Sequence, residues 1–143
     1  MKTKHLTAEI PIQYLEWKKS REVIRGLFEA DGSLYFSQSK KGPFPDYPRI
    51  EIKSASEQLL NQVNNTLQER EFDTSIRASK TDSTSRILLS GKRMLSKWKK
   101  EIGFSDQKTI SKYEMWNHLG FYIPRTSHPD RKVIIEALKQ IHL

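Results

Sequence analysis

Cysteine is absent from this sequence, which excludes disulfides and thiolate zinc sites. Histidine is scarce: His5, His118, His128 and His142 are scattered without metal-ligand spacing. Any metal must therefore be held by oxygen ligands, which suit Mg²⁺ or Ca²⁺. No apolar run approaches the roughly 20 residues needed to cross a bilayer. The basic start, Met1 to His5, leads to an acidic residue and Pro11 instead of an apolar secretory core, so a cytoplasmic protein is expected. Acid is also in short supply. Twenty-five Lys and Arg against seventeen Asp and Glu leave a net charge of +8 and a pI near 9.7, a balance that points to a polyanionic partner. A length of 143 residues predicts one domain with room for a substantial core.

The periodicities alternate between helix and strand. From Ser20 to Asp31, apolar residues at Val23, Ile24, Leu27, Phe28 and Ala30 predict a helix capped by Ser20 and ended by Gly32. Residues 33–39 form a strand with Leu34 and Phe36 on one face and Tyr35, Ser37 and Ser39 on the other. Three prolines and a glycine in KKGPFPDYP mark a loop. Beyond it, residues 49–54 alternate strictly, with Ile50 and Ile52 inward. Ser56 caps a second helix to Arg70 that buries Leu59, Leu60, Val63 and Leu67. Residues 72–79 and 84–90 pair as a hairpin around the turn at 80–83. A third helix, 92–102, buries Met94, Leu95, Trp98 and Ile102. A fourth begins near Ser105 or Asp106, and a last one, 130–141, places Val133, Ile134, Ala137, Leu138 and Ile141 on one side. Residues 1–19, with Tyr14, Leu15 and Trp17, are either a short docking helix or an arm. No linker, repeat or low-complexity segment interrupts the chain.

All four strands keep one aliphatic face, while the other gathers Tyr35, Arg49, Lys53, Arg77, Thr84 and Arg86. Such a sheet is either an ordinary solvated surface or a cationic, hydrogen-bonding saddle that follows a DNA major groove.

Ile24 to Gly32 reads I-R-G-L-F-E-A-D-G. Gly26 and Ala30, four apart, leave a smooth stripe on which a second helix can approach closely, and Asp31 falls at the helix end. Two such carboxylates brought together by a two-fold axis would repel unless cations lay between them, so the arrangement favours Mg²⁺. Here the chain resembles the LAGLIDADG family of homing endonucleases. Gly26, Leu27, Ala30, Asp31 and Gly32 match the motif, Glu29 keeps its acid, and only Arg25 changes chemistry. With the αββαββα element order, the resemblance covers about residues 20–123, leaving 1–19 as an N-terminal arm or helix and 124–143 as a C-terminal helical extension.

The resemblance implies an α+β fold with an antiparallel DNA-binding saddle, and site-specific cleavage of duplex DNA with Mg²⁺. Mn²⁺ is expected to substitute, and Ca²⁺ to support binding alone. The motif occurs once, which implies a homodimer packed through Gly26 and Ala30. Asp31 and the Ala30 backbone would hold the metal. Lys108, four residues beyond Phe104, matches a lysine that lies near the metal-bound water in relatives. Ser54 falls where relatives often carry a water-ordering polar residue. Candidate DNA contacts are Tyr35, Ser37, Ser39, Lys40, Lys41, Arg49, Glu51, Lys53, Arg77, Ser79, Lys80, Thr84 and Arg86. The alternative is a non-cleaving protein of the same fold, an RNA maturase or a transcription regulator. Pro45-Asp46 with Glu51 and Lys53 imitates the PD…ExK signature of restriction nucleases, but those carboxylates converge from neighbouring strands, and Asp46 and Glu51 lie five apart in one segment.

Overall fold

The computed structural model describes residues 15–39 and 42–141. Residues 1–14 of the segment 1–19 expected as an arm or a short docking helix, and the candidate contacts Lys40 and Lys41, lie outside them. The first helix, α1, runs Trp17–Asp31, three residues earlier than its periodicity implies. Glu16 occupies the cap position, and Ser20 is a buried residue inside the helix. Its hydroxyl donates to the carbonyls of Glu16 (3.2 Å) and Trp17 (3.4 Å). A serine that bonds back to its own preceding turn is accommodated in a helix interior, so the expected cap is an internal residue. Residues 17–19 of the segment left open between arm and helix thus belong to α1, and the Arg70 guanidinium lies 4.6 Å from the Trp17 ring centroid.

Strands β1 (Gly32–Ser37) and β2 (Tyr47–Ser54) pair antiparallel, helix α2 (Glu57–Glu69) crosses over, and the hairpin β3 (Ser75–Ala78) and β4 (Ser85–Ser90) completes the sheet. The order is β1-β2-β4-β3, antiparallel throughout. Helices α3 (Lys92–Glu101), α4 (Gln107–Leu119) and α5 (His128–Ile141) follow. Ser56 caps α2 as expected, accepting from the Leu59 amide at 3.1 Å.

Ile24 and Phe28 of α1, Leu34, Ile50, Ile52, Ile87 and Leu89 of the sheet, Leu60, Val63 and Leu67 of α2, and Leu95 and Trp98 of α3 form one buried core. The inward face of the sheet is therefore the aliphatic one, and the opposite face is left open. α4 and the segment after it guard the exposed edge of β1: Trp116 and Tyr122 stack on Phe36, and the Lys112 ammonium reaches the Leu34 carbonyl at 3.4 Å. Edge strands need such cover against pairing with other chains. Burial, with repulsion from Arg131, holds the Lys112 pKa below the usual lysine value.

Gly32 joins α1 to β1 for a reason its position as a helix stop does not reveal. Its φ of −131° is ordinary extended backbone, but a Cβ there would lie 2.4 Å from the Glu51 carbonyl oxygen and 2.8 Å from that of Phe28. Both obstacles are backbone, so neither can swing aside. Gly32→Ala should cost about 3 kcal/mol, read as a lower urea midpoint with an unchanged slope.

The last helix packs through one edge of its expected face. Ile134 and Leu138 are half-buried and Arg131 and Ile135 buried, whereas Val133 and Ile141 are 70% and 74% exposed and Ala137 is exposed. Arg131 sets this rotation. Its guanidinium donates to Ser111 Oγ (2.8 Å), Tyr122 OH (3.3 Å), the Lys108 carbonyl (3.4 Å) and the Thr126 carbonyl. With each of its nitrogens bonded, a cation can be buried, and Ile135 one turn on follows it inward.

Candidate nucleic-acid interface and carboxylate site

Helix α1 presents three faces. The first, Ile24 and Phe28, packs on the sheet. The second carries Arg21, Arg25 and Glu29, spaced four apart, toward the segment joining α3 to α4. Arg21 and Arg25 donate to the carbonyls of Glu101 (3.3 Å) and Ile102 (2.8 Å), the negative end of α3. Glu29 accepts from the amides of Ser105 (2.6 Å) and Asp106 (2.9 Å) and from the Ser105 hydroxyl, at the positive end of α4. Each charge thus meets the helix end of opposite sign. This explains the departure at Arg25 and gives the motif acid Glu29 a positioning task.

These donors hold the Glu29 pKa below the usual glutamate value, although burial opposes them most strongly as a single influence. A carboxyl depressed in the folded state stabilises fully above its unfolded pKa of about 4.3, and that stability fades as pH falls through the folded value. Glu29→Gln should therefore flatten the acid limb of the stability profile below about pH 4.3, measured as urea midpoint against pH. A limb identical to the wild type would show that Glu29 contributes nothing to it.

The third face is open. Gly26 and Ala30 are exposed, nothing lies within 4 Å of a Cβ built on Gly26, and Val23 on the same side is 39% exposed. Asp31, the last residue of α1, is exposed as well. Its carboxylate sits at the negative end of the helix dipole, where the final carbonyls, that of Ala30 among them, have no intrahelical donor. Among the described residues no three His, Cys, Asp or Glu side chains converge on a common point. One chain thus offers one carboxylate and one main-chain oxygen, hard donors that suit Mg²⁺, an ion often bound through one or two carboxylates and substrate phosphates.

The other expected catalytic residues lie on β2 and α4. Gly32 pairs with Ile52, so Lys53 and Ser54 continue β2 past the start of β1, beside the end of α1. Ser54 Oγ accepts from the Ser56 amide at 3.0 Å and so helps turn the chain into α2. Lys108 is exposed in the first turn of α4, which the Glu29 contacts tether to the motif helix two residues before Asp31.

The open face of the sheet is built as expected, in cross-strand rows. Tyr35, Arg49 and Ser90 form one row, Ser33, Glu51, Leu88 and Ser75 the next, and Lys53, Arg86 and Arg77 a third. Three cations thus stand side by side on neighbouring strands. Arg49 is held in place: Nε donates to Ser37 Oγ (3.0 Å), Nη1 to Ser90 Oγ (2.9 Å), and its guanidinium lies 5.0 Å from the Tyr47 ring centroid. Arg86 pairs with Glu51 at 3.1 Å. Lys53 lies 3.9 Å from Asp82, whose pKa falls to about 2, chiefly through the Thr84 hydroxyl. Arg77 has no hydrogen bond or ion pair among the described residues. Burial chiefly, and then Glu51, raise the Tyr35 pKa.

Ser79 and Thr84 shape the β3–β4 turn. Ser79 Oγ accepts from the Thr81 and Asp82 amides, and Thr84 donates to Asp82 at 2.5 Å; Lys80 is exposed at that turn. Ser39 is tied to Asp46, which accepts from its amide (3.2 Å) and hydroxyl (2.9 Å), so the PD…ExK aspartate is a loop-closing group. Tyr47 and Ser90 were not among the expected contacts, although both share the alternation that places Arg49 outward.

Among the described residues no helix is long and apolar enough to cross a membrane. No curated protein matches the chain. Among solved structures, a group I intron-encoded homing endonuclease, I-CeuI, in complex with DNA is similar at 13% identity and a TM-score of 0.43. That likeness covers 91% of this chain and 58% of that one. The profile of the LAGLIDADG-like domain matches residues 18–103, the span from the motif helix to the end of α3. With the motif at the end of α1, its Gly26/Ala30 stripe and the αββαββα order all in place within that span, the chain belongs to the LAGLIDADG family.

Proposed function

We propose that this chain is one half of a homodimeric, Mg²⁺-dependent endonuclease that cuts duplex DNA at a specific site. The observation that carries the reading is the single exposed carboxylate of Asp31 at the end of an unpartnered small-residue stripe, joined directly to a sheet with an open cationic face. A second copy packed on Gly26 and Ala30 would bring two Asp31 carboxylates together and extend the two sheets into one saddle. The Arg49, Lys53, Arg77 and Arg86 cations would hold the duplex phosphates and bases. Bound Mg²⁺ would supply phosphate polarisation and a lowered pKa for the attacking water. Asp31 and the Ala30 carbonyl would hold that ion, and Lys108, tethered to the same end by α4, would lie near the attacking water. Ser54 has its hydroxyl proton left to order water, its oxygen already serving the Ser56 amide. Mn²⁺ should substitute for Mg²⁺, and Ca²⁺ should support binding without cleavage.

The DNA to use is the sequence flanking the gene, joined as it would read without an insertion. In Ca²⁺, a gel-shift titration should show this duplex bound more tightly than unrelated duplex or structured RNA. Preferential retention of RNA would favour a maturase, and tight duplex binding without metal-dependent cutting would favour a regulator.

A further inference from the structure

Among the outward-facing strand residues there is one acid. It is Glu51 of the inner strand β2, with Ser33 and Leu88 beside it across the strands and Arg49 and Lys53 along its own. A carboxylate on a face meant for phosphates weakens attraction to any DNA. It is also poorly placed to be a mere surface charge. Its side chain is 14% exposed, against 32% for its partner Arg86, and it lies near enough to Tyr35 to raise that phenol's pKa. The ion pair joins one carboxylate oxygen, Oε1, to Nη1, and Glu51 Oε2 accepts no hydrogen bond among the described residues.

The pair therefore offers, side by side, a guanidinium whose remaining N–H groups are donors and a carboxylate oxygen that accepts. The major-groove edge of a G·C pair presents the complement: acceptors O6 and N7 on guanine, and the N4 amino donor on cytosine. An A·T pair gives the guanidinium one acceptor, adenine N7, instead of two, and thymine presents its O4 acceptor and a methyl group, which leaves the carboxylate facing no donor on the pyrimidine side. Resting on the proposed duplex-DNA function, we infer that Glu51 and Arg86 act as one unit that reads a single G·C base pair in each half-site. Arg86 takes the guanine, and Glu51 both orients Arg86 and accepts from the cytosine amine. Arg77, in the next strand of the same row and without an ion pair among the described residues, contacts the DNA backbone and reads no base.

The test is a binding titration of the full chain in Ca²⁺ against the joined flanking duplex and a panel carrying every single base-pair substitution. Wild type should disfavour replacement of one G·C pair per half-site by about tenfold. Glu51→Gln keeps the shape and removes the charge. It should lower that preference at this position alone and raise affinity for unrelated duplex, because a negative charge has left the face. Arg86→Lys should lose the same preference, and Arg77→Ala should weaken all duplexes alike, with a smaller salt dependence. A Glu51→Gln protein that keeps its G·C preference, or weakens at every position equally with no gain on unrelated duplex, overturns the assignment. If wild type binds no duplex in preference to RNA, the proposed function itself fails, and that outcome is separate from a duplex binder with unchanged base preference.

Discussion

Asp31→Asn should abolish strand cleavage, by about 10³-fold or more, since a metal ion contributes several kcal/mol of charge stabilisation to the transition state. The amide keeps nearly the same shape at the end of α1 and removes the charge proposed to hold the cation. Asp31 is exposed and makes no hydrogen bond among the described residues, so folding has little to lose. Duplex binding should persist and even tighten, because the proposed dimer sheds two negative charges near the phosphates while the sheet cations are untouched. Plasmid cleavage beside a binding titration in Ca²⁺ separates three cases. Lost cutting with retained binding supports a metal ligand. Folding and binding lost together, with a lower melting temperature, would make Asp31 structural. Cutting at the wild-type rate would remove it from the chemistry.

The second large effect is expected at Gly26. Within one chain there is open space around this glycine, and leucine is the better helix former by roughly 1 kcal/mol. Gly26→Leu should therefore leave a single chain as stable as before, or more so. In a symmetric dimer the same side chain enters the helix contact twice, and overpacking costs roughly 1–3 kcal/mol at each site. The dimer dissociation constant should weaken by about 10²-fold, with cleavage lost in proportion. Sedimentation across a concentration series reads this directly. A variant that dimerises like the wild type would place the subunit contact elsewhere, and a wild type that is monomeric at micromolar concentration while fully active would remove it.

The elements of this fold were legible because local periodicity carries them. Leu59, Leu60, Val63 and Leu67 recur as a helix requires, the alternation at residues 49–54 requires a strand, and both are buried as expected. The motif residues were legible because a small stripe ending in Asp-Gly needs no partner to be recognised. What the sequence concealed depends on distant partners. Arg21, Arg25 and Glu29 look like a solvated stripe until residues 101–106, more than 70 positions away, place helix ends against them. Arg131 reads as a surface cation until Ser111, Tyr122 and two carbonyls surround it, and α5 then turns Val133 and Ile141 outward. Gly32 reads as a helix stop, yet its constraint is the Glu51 carbonyl of a neighbouring strand. The polar face of the sheet could be read from parity alone. The row Lys53, Arg86, Arg77 and the pairing of Glu51 with Arg86 required the register, which no single strand contains.

Cleavage of a plasmid carrying the joined flanking sequence, with Mg²⁺ and with a chelator in its place, tests the central reading most directly. The expected result is linear DNA broken at one site in Mg²⁺ and intact supercoiled plasmid with the chelator. Intact plasmid under both conditions, from a protein that is folded and binds the same duplex, would contradict it.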